Sequence, residues 1–289
     1  MFRSSNPAFT HNSAFAPAQT WDDLESQGRS GDLPGLSVPA RAAPSATMTV
    51  QGTVNKTFFL LALAVTTAVF AWSQALAAEP MVNPGLLLVG GAIGGLIAAL
   101  VCCLAPKTAP VAAPMYALLE GLFLGAISAF YAQRFGSGAS LQGGSGAVGL
   151  NTGLIFNAML LTFGILGGLL VGYSTGLVRP GPIFRNIVVT GTIGVCAYGL
   201  IAMIAAMFGS FSLASVYDPS NGGMLSVGFS LLLVGLASGN LVMDFEFIHA
   251  GVKNGAPRRM EWFGAFGLMV SLVWLYLEVL RLLAKLRRD

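Results

Sequence analysis

Charged residues are scarce in this sequence. Asp, Glu, Lys and Arg make up 9% of the 289 residues, whereas hydrophobic residues make up 55%. A soluble domain carries roughly a quarter of its residues as charges. A chain with so few charges cannot cover a large surface that faces water. The composition therefore excludes an ordinary soluble protein and indicates a chain embedded in a lipid bilayer.

Residues suited to catalysis or metal binding are also few. The two histidines, His11 and His249, lie outside the long apolar runs, and neither an HExxH zinc motif nor a GxSxG nucleophile elbow is present. Cys102 and Cys103 are adjacent in one apolar run and Cys196 lies in another, without the spacing of metal ligands. We expect the cysteines to be packing residues, and we expect no enzymatic activity and no resident cofactor.

The chain divides into a polar beginning and a long apolar remainder. Residues 1–55 are rich in Ser, Pro, Ala and Asn and predict a poorly ordered tail. This tail is not a signal peptide, because the first long apolar stretch begins only after Lys56. We therefore predict a tail of residues 1–55 and a membrane domain of residues 56–289. The net charge of +3 is small and spread over the ends of the apolar runs, which argues against a nucleic-acid partner.

Seven apolar runs are long enough to cross the hydrocarbon core of a bilayer, which is roughly 30 Å thick. Because no water reaches that core, each run must satisfy its own backbone groups as a helix. The short alternating segments of a β-barrel are absent from the sequence. The fold class is thus an all-α membrane protein of about seven transmembrane helices, with boundaries expected to within about four residues. The predicted spans are 57–77, 84–105, 111–132, 153–173, 187–208, 224–246 and 263–283.

Glycines are concentrated inside these spans at spacings that let helix backbones approach closely. We predict that they pack helices rather than bind phosphate, because a buried helix offers no free amide groups. The clearest sets are Gly90, Gly91, Gly94 and Gly95 in the second span and Gly164, Gly167 and Gly168 in the fourth.

The basic residues between spans favour one side of the membrane. If every span crosses, Arg134 is the basic residue on the opposite side before the C-terminus, and the positive-inside rule then places the N-terminal tail in the cytoplasm. This indicates the inner (cytoplasmic) membrane. The residues on the cytoplasmic side would be Lys56, Lys107, Arg179, Arg185, Lys253, Arg258 and Arg259, while Arg281, Lys285, Arg287 and Arg288 after the last span conflict with the rule. Either the rule is broken at the terminus or the last span does not cross fully.

Two acids inside the spans are candidate functional residues, because ionisable groups in a membrane are expensive. Glu120 is the single charge between Lys107 and Arg134. It is either a functional acid or a protonated glutamic acid hydrogen-bonded to a neighbouring helix. Asp244 lies late in the sixth span, and Asn240, four residues earlier, should share its helix face. Since burial disfavours an ionised carboxyl, both acids are candidates for pH sensing.

The last span carries a further acid. Glu278 lies three residues before Arg281, so it is either a functional acid or one half of an interfacial ion pair. Glu246 is expected to be interfacial, and His249 to lie at the end of a helix where it could sense pH.

Several of these features, in this order, resemble the Bax inhibitor-1/YccA family. They are the seven closely spaced spans, the segment Glu120-Gly-Leu-Phe-Leu-Gly125, the segment Met243-Asp-Phe, and the closing Trp274-Leu-Tyr-Leu-Glu-Val-Leu-Arg-Leu-Leu283. The resemblance covers residues 55–288 and implies that the last helix is enclosed by the other six. It also implies one of two functions: a pH-sensitive calcium leak, with Ca²⁺ as the transported ion, or regulation of a membrane-bound protease or another membrane protein in stress and cell death.

The leak implied by the resemblance uses two aspartates that share a proton, one late in helix six and one in helix seven. Asp244 matches the first of them. Motif identity favours Glu278 as the second, but Glu278 would lie some 20 Å from Asp244 along the helix axis. Geometry favours Ser271 instead. With Ser271 in that place, the two-carboxylate switch is incomplete.

Overall fold

The chain folds into a bundle of long helices. A computed structural model describes residues 47–77, 79–135, 152–178, 180–207 and 223–286, and within these ranges it contains seven α-helices and a 3-10 turn, Pro106–Thr108. Six helices are long and apolar enough to cross a membrane by the residues that the structure describes. The predicted all-α membrane fold is confirmed. The helices are α1 (Val50–Leu76), α2 (Pro84–Leu104), α3 (Ala109–Arg134), α4 (Thr152–Ser174), α5 (Pro182–Met207), α6 (Met224–Lys253) and α7 (Met260–Leu286).

The observed helices continue beyond some of the predicted spans. α1 begins at Val50 rather than at residue 57, α5 at Pro182 rather than at 187, and α6 ends at Lys253 rather than at 246. The expected precision of the boundaries was therefore wrong at these three ends, because a helix with a suitable cap continues past the hydrocarbon into polar surroundings. At α1 the cap is Thr49, whose Oγ1 accepts a hydrogen bond from the Gly52 amide at 2.9 Å.

The predicted border between tail and membrane domain, after residue 55, falls inside α1. Residues 47–49 lead into this helix. The rest of the predicted tail, residues 1–46, lies outside the described residues.

The last helix forms the centre of the bundle. In α7, 67% of the apolar stretch is buried, compared with 17% in α1. α7 packs chiefly against α1, α3, α4 and α6, whereas α2 packs mainly on α3 and α5 on α6. Among the described residues, the main neighbours of α7 are thus these four helices, while α2 is attached chiefly through α3 and α5 chiefly through α6.

Glycines bring α1, α2 and α3 close together. A Cβ atom on Gly91 would come 2.7 Å from the Phe123 amide nitrogen of α3, and one on Gly121 would overlap the backbone of Ala64 in α1. Gly94 and Gly95 also face α3, so the packing prediction is confirmed for Gly91, Gly94 and Gly95. It is wrong for Gly90, Gly164, Gly167 and Gly168, which have no neighbour within 4 Å of an added Cβ among the described residues.

The cysteines divide in the same way. Cys102 is buried in the apolar cluster of α1, α2, α3 and α7, as predicted for a packing residue. Cys103 and Cys196 are exposed on the outer surfaces of α2 and α5, so the packing prediction is wrong for them. Both sides of such a helix are hydrophobic, so the composition does not show which side packs against protein and which side faces lipid.

The short segment before α1, residues 47–49, pairs with the loop between α6 and α7, and we call this segment the strap. The Met48 amide donates to the Ala256 carbonyl at 2.7 Å, and Thr47 forms a β-bridge with Pro257. The Met48 side chain is 2% exposed. Its sulfur would lie 2.9 Å from a Cβ on Gly251, so Gly251 leaves room for it.

Candidate functional site

Asp244 and Ser271 form a polar contact between the middle of α7 and the second half of α6. The Ser271 hydroxyl donates a hydrogen bond to Asp244 Oδ2 at 2.5 Å. Gly267, one turn before Ser271 on α7, makes room for the carboxyl, since a Cβ at that position would lie 3.3 Å from Asp244 Oδ1. Both residues lie within the predicted spans. The structure therefore brings these two candidate residues together at the interface of the central helix.

Ser271, and not Glu278, is the α7 partner of Asp244. Glu278 instead accepts hydrogen bonds from Trp274 Nε1 at 3.1 Å and from Arg281 Nη1 at 2.7 Å. The pair with Arg281 was one of the two alternatives for Glu278. The Glu278 side chain of this pair is 1% exposed and the Arg281 side chain 15%. The carboxyl is held inside the bundle by a nearby guanidinium.

Asn240 faces a different helix from Asp244. Its amide nitrogen donates to Thr192 Oγ1 of α5 at 2.7 Å and to the Leu236 carbonyl at 3.0 Å. Four residues turn an α-helix by about 40° beyond one full turn, and here that offset directs the two side chains to different neighbours. Asn240 and Asp244 thus contact different helices although they are four residues apart on α6. Asn240 ties α5 to α6.

Glu120 lies in a separate interface. Its side chain is buried between α3 and α2, where a Cβ on Gly95 would come 2.7 Å from Glu120 Oε2. α3 packs against α1, α2, α4 and α7, so Glu120 and Asp244 lie in different helix interfaces. The buried position of Glu120 agrees with its selection from the sequence. The structure does not join it to Asp244 in one site.

Lys285 is a buried cation that the sequence placed beyond the last span. Its side chain is 0% exposed, and Nζ donates to Ser230 Oγ at 2.8 Å and to the Ser226 carbonyl at 3.1 Å. The signal available in the sequence was the pair Ser226 and Ser230, which lie one turn apart in an otherwise apolar run. These contacts hold the end of α7 against the beginning of α6.

Glu261 is a second buried charge that sequence reasoning did not select. It lies at the start of α7 with 1% exposure, where it accepts hydrogen bonds from the Thr49 amide at 2.9 Å and the Thr49 hydroxyl at 3.0 Å. It also forms an ion pair with Lys56 of α1, whose ammonium lies 5.4 Å from the Trp262 ring centre. The beginning of α1 is thereby fixed to the first turn of α7.

The oxygen atoms around Asp244 are too few for a resident calcium ion. Ca²⁺ takes about six to eight oxygen ligands, whereas the described contacts of Asp244 supply its own carboxylate and the Ser271 hydroxyl. Nowhere among the described residues do three His, Cys, Asp or Glu side chains lie close enough to hold a metal together.

The comparisons with known proteins agree with the architecture. The family described as Bax inhibitor 1 like matches residues 6–288 of this chain. Neither the curated proteins nor the solved structures gave a match. The matched range includes the segments around Glu120, Asp244 and Trp274 and all seven helices. This multi-pass membrane protein belongs to the Bax inhibitor 1-like family.

Proposed function

We propose that this protein is a pH-sensitive cation leak in which the proton of Asp244 controls the gate. The observation that supports this proposal best is the hydrogen bond between Ser271 and Asp244, which joins α6 to the central helix within the predicted spans. The ion that the family resemblance suggests is Ca²⁺. Other cations would also be attracted to the ionised carboxylate of Asp244.

The sign of the pH response follows from the charge of Asp244. A protonated carboxyl is neutral and is satisfied by the Ser271 hydroxyl, so α6 and α7 remain together. An ionised carboxylate in low-dielectric surroundings is costly, and a hydroxyl group cannot neutralise it. Loss of the proton therefore favours either separation of the two helices or the approach of a cation. Flux should rise as the pH rises.

Ser271 changes the expected steepness of this response. In a pair of carboxylates, two coupled groups share the titration. Asp244 has a hydroxyl partner instead, so a single group titrates at this contact. We expect the pH dependence of flux to follow a one-proton curve. A second acid introduced by Ser271→Asp should make the curve steeper or split it into two steps.

Calcium flux into liposomes tests the proposal. The purified protein is reconstituted in vesicles that contain a calcium indicator, and the rate of uptake is measured from mildly acidic to mildly alkaline pH. Asp244→Asn keeps the size and hydrogen bonding of the protonated acid but cannot ionise, so most of the pH dependence should disappear. Glu120→Gln should change the rate more than the midpoint, because it lies in another interface.

His249→Gln is the matched control, because it replaces another polar side chain of α6 that lies away from the Asp244–Ser271 contact. The His249 ring packs against Tyr173 of α4, with 6.5 Å between ring centres, and lies about one turn beyond Asp244 on α6. This variant should keep the wild-type pH profile. Wild-type protein that gives no flux above empty liposomes would refute the leak, as would an Asp244→Asn variant that titrates like wild type.

A non-conducting regulator is the second candidate function, and the small set of oxygen atoms at Asp244 favours it. In this case the helices would bind a membrane-bound protease or another membrane protein. The turnover of membrane protein substrates would then depend on this chain, while liposomes would show no flux. Measuring both quantities with the same variants separates the two candidates.

We also propose that the protein lies in the cytoplasmic membrane with its N-terminus in the cytoplasm. The burial of Lys285 and the pairing of Arg281 with Glu278 support this orientation, because neither basic residue then counts as a loop charge on the opposite side. Reporter fusions at each terminus, active on only one side of a membrane, test the orientation. A C-terminal reporter active in the cytoplasm would show that α7 does not cross.

A further inference from the structure

A groove of about 450 Å³ lies between α1 and α4, with α3 and α7 forming its floor. Leu61, Val65 and Trp72 line one wall, and Ile155 and Met159 line the opposite wall. Its volume lies in the usual range for ligand sites, about 300–1,000 Å³. The groove belongs neither to the Asp244–Ser271 contact nor to the interface of Glu120.

The lining excludes a polar occupant. The two hydroxyls on the floor, those of Ser128 and Tyr276, are hydrogen-bonded to each other at 2.8 Å. The Thr162 hydroxyl donates to the Ala158 carbonyl of its own helix at 2.8 Å. Apart from Thr152 at one end, the other side chains of the lining are apolar, so an ion or a polar solute would find few hydrogen-bonding groups along the groove. Cavities of this kind accept hydrocarbon rather than water.

The groove opens sideways, where the hydrocarbon of a bilayer would surround the helices. Val65 and Val69 of α1 are 57% and 62% exposed, and Phe156 of α4 is 62% exposed, although all three line the groove. Along α4 the lining begins at Thr152, the first residue of the helix, and continues to Phe163. At 1.5 Å per residue this distance is about 16 Å, close to half of the roughly 30 Å hydrocarbon core. The groove therefore has the length of one leaflet.

From this geometry we infer that the groove between α1 and α4 binds one acyl chain of a membrane phospholipid, with the headgroup at the Thr152 end. The length matches a chain that descends from the membrane face to the bilayer centre. Two walls and a floor give such a chain contacts on three sides, whereas a lipid on the outer face of α2 contacts one side only. The chain should thus exchange more slowly than the surrounding lipid.

Photo-crosslinking tests this inference directly. The protein is reconstituted in vesicles of phosphatidylethanolamine and phosphatidylglycerol that include a phosphatidylglycerol with a diazirine on its acyl chain. After irradiation and digestion, mass spectrometry locates the adducts. Adducts should concentrate on the groove residues of α1 and α4 and should be several-fold rarer on the exposed face of α2. Ile93, Leu96 and Ile97 define that face.

A pair of variants on α1 gives the matched comparison. Ala68→Phe places a ring inside the groove and should remove most of the labelling there. Ala62→Phe adds the same ring on the exposed side of the helix, outside the lining, and should keep the wild-type pattern. If Ala68→Phe fails to fold, Ala68→Leu fills part of the same space and should reduce the labelling to a smaller degree.

Three results would overturn the inference. The first is equal labelling of the groove and of the α2 face, which would show only surrounding lipid. The second is unchanged labelling in a folded Ala68→Phe or Ala68→Leu variant. The third uses photo-methionine at Met159, which lines the groove. A crosslink from this position to a peptide of a second copy would show that protein fills the space.

Discussion

Lys285 shows how a single buried charge can fasten two helices. The ammonium lies among the apolar residues at the end of α7 and donates to Ser230 and to the backbone of Ser226. A lysine in these surroundings costs desolvation free energy, which its hydrogen bonds offset. Replacing Lys285 by methionine keeps most of the side-chain volume but removes the hydrogen bonds to Ser230 Oγ and to the Ser226 carbonyl.

We expect Lys285→Met to lower the free energy of unfolding by about 1–3 kcal/mol, the usual cost of an unsatisfied buried polar group. Lys253→Met provides the control, because Lys253 is exposed at the end of α6 and should change stability by less than about 0.5 kcal/mol. Unfolding in detergent with increasing denaturant measures both variants. An equally stable Lys285→Met protein would show that desolvation of the ammonium cancels its hydrogen bonds.

The ion pair between Lys56 and Glu261 makes a second prediction at this scale. Both side chains are largely shielded, with 16% and 2% of their surfaces exposed, so removal of one charge leaves the other uncompensated. A double-mutant cycle with Lys56→Met and Glu261→Gln should give a coupling free energy of about 1–3 kcal/mol. The losses of stability in the two single variants should therefore add up to more than the loss in the double variant. Additive effects would contradict a direct interaction.

The sequence identified some of these residues and not others for a physical reason. Asp244 and Glu120 interrupt long apolar runs, so the cost of a charge in a membrane drew attention to them. Lys285 and Glu261 lie near the ends of α7, where a composition window assigns charges to the aqueous side. Their burial depends on Ser226 and Thr49, which are distant in sequence and are brought near only by the packing of the bundle.

At the scale of elements, α3 depends on close approach to its neighbours. A methyl group at Gly121 would overlap Thr67 and the backbone of Ala64 in α1, and one at Gly125 would overlap the backbone of Ala68. These contacts leave no space for even the smallest side chain. They explain why the pair α1 and α3 packs so tightly.

We predict that Gly121→Ala destabilises the protein by about 1–3 kcal/mol, the usual cost of overpacking. Gly164→Ala is the matched control, because a Cβ added to Gly164 in α4 meets no atom of the described residues within 4 Å. It should be neutral or stabilising by up to about 1 kcal/mol, since alanine favours a helix over glycine. Thermal unfolding of both variants in the same detergent compares them. Equal losses would mean that helix α1 can move away from α3 at little cost.

Sequence reasoning predicted the existence of the helices better than their ends. Apolar length determines whether a segment must be helical in a bilayer, and this criterion located all seven elements. The ends depend on individual hydrogen bonds, such as the cap at Thr49, and on contacts with loops. The packing side of each glycine also depends on which helix lies next to it. Composition carries no information about that neighbour.

For the whole molecule, the central position of α7 predicts a gradient of local stability. Among the described residues, α7 packs chiefly against four helices and has the most buried apolar stretch of the six membrane-spanning candidates, whereas α5 packs mainly against α6. In detergent micelles, hydrogen exchange followed by mass spectrometry should show the slowest exchange in the middle of α7 and faster exchange in α5. If α5 were as strongly protected as α7, further contacts of α5 would have to hold it in place.

The ion pair between Lys56 of α1 and Glu261 of α7 also determines when the fold can be completed. Lys56 is synthesised 205 residues before Glu261, and Thr49 is synthesised 212 residues before it. A ribosome adds roughly 5–20 residues per second, so the first helix waits in the membrane for many seconds before its charged partner exists. During that interval the nascent chain contains a lysine in α1 without its carboxylate. Insertion of α7 supplies the carboxylate of Glu261. A chain truncated before α7 would lack this partner for Lys56.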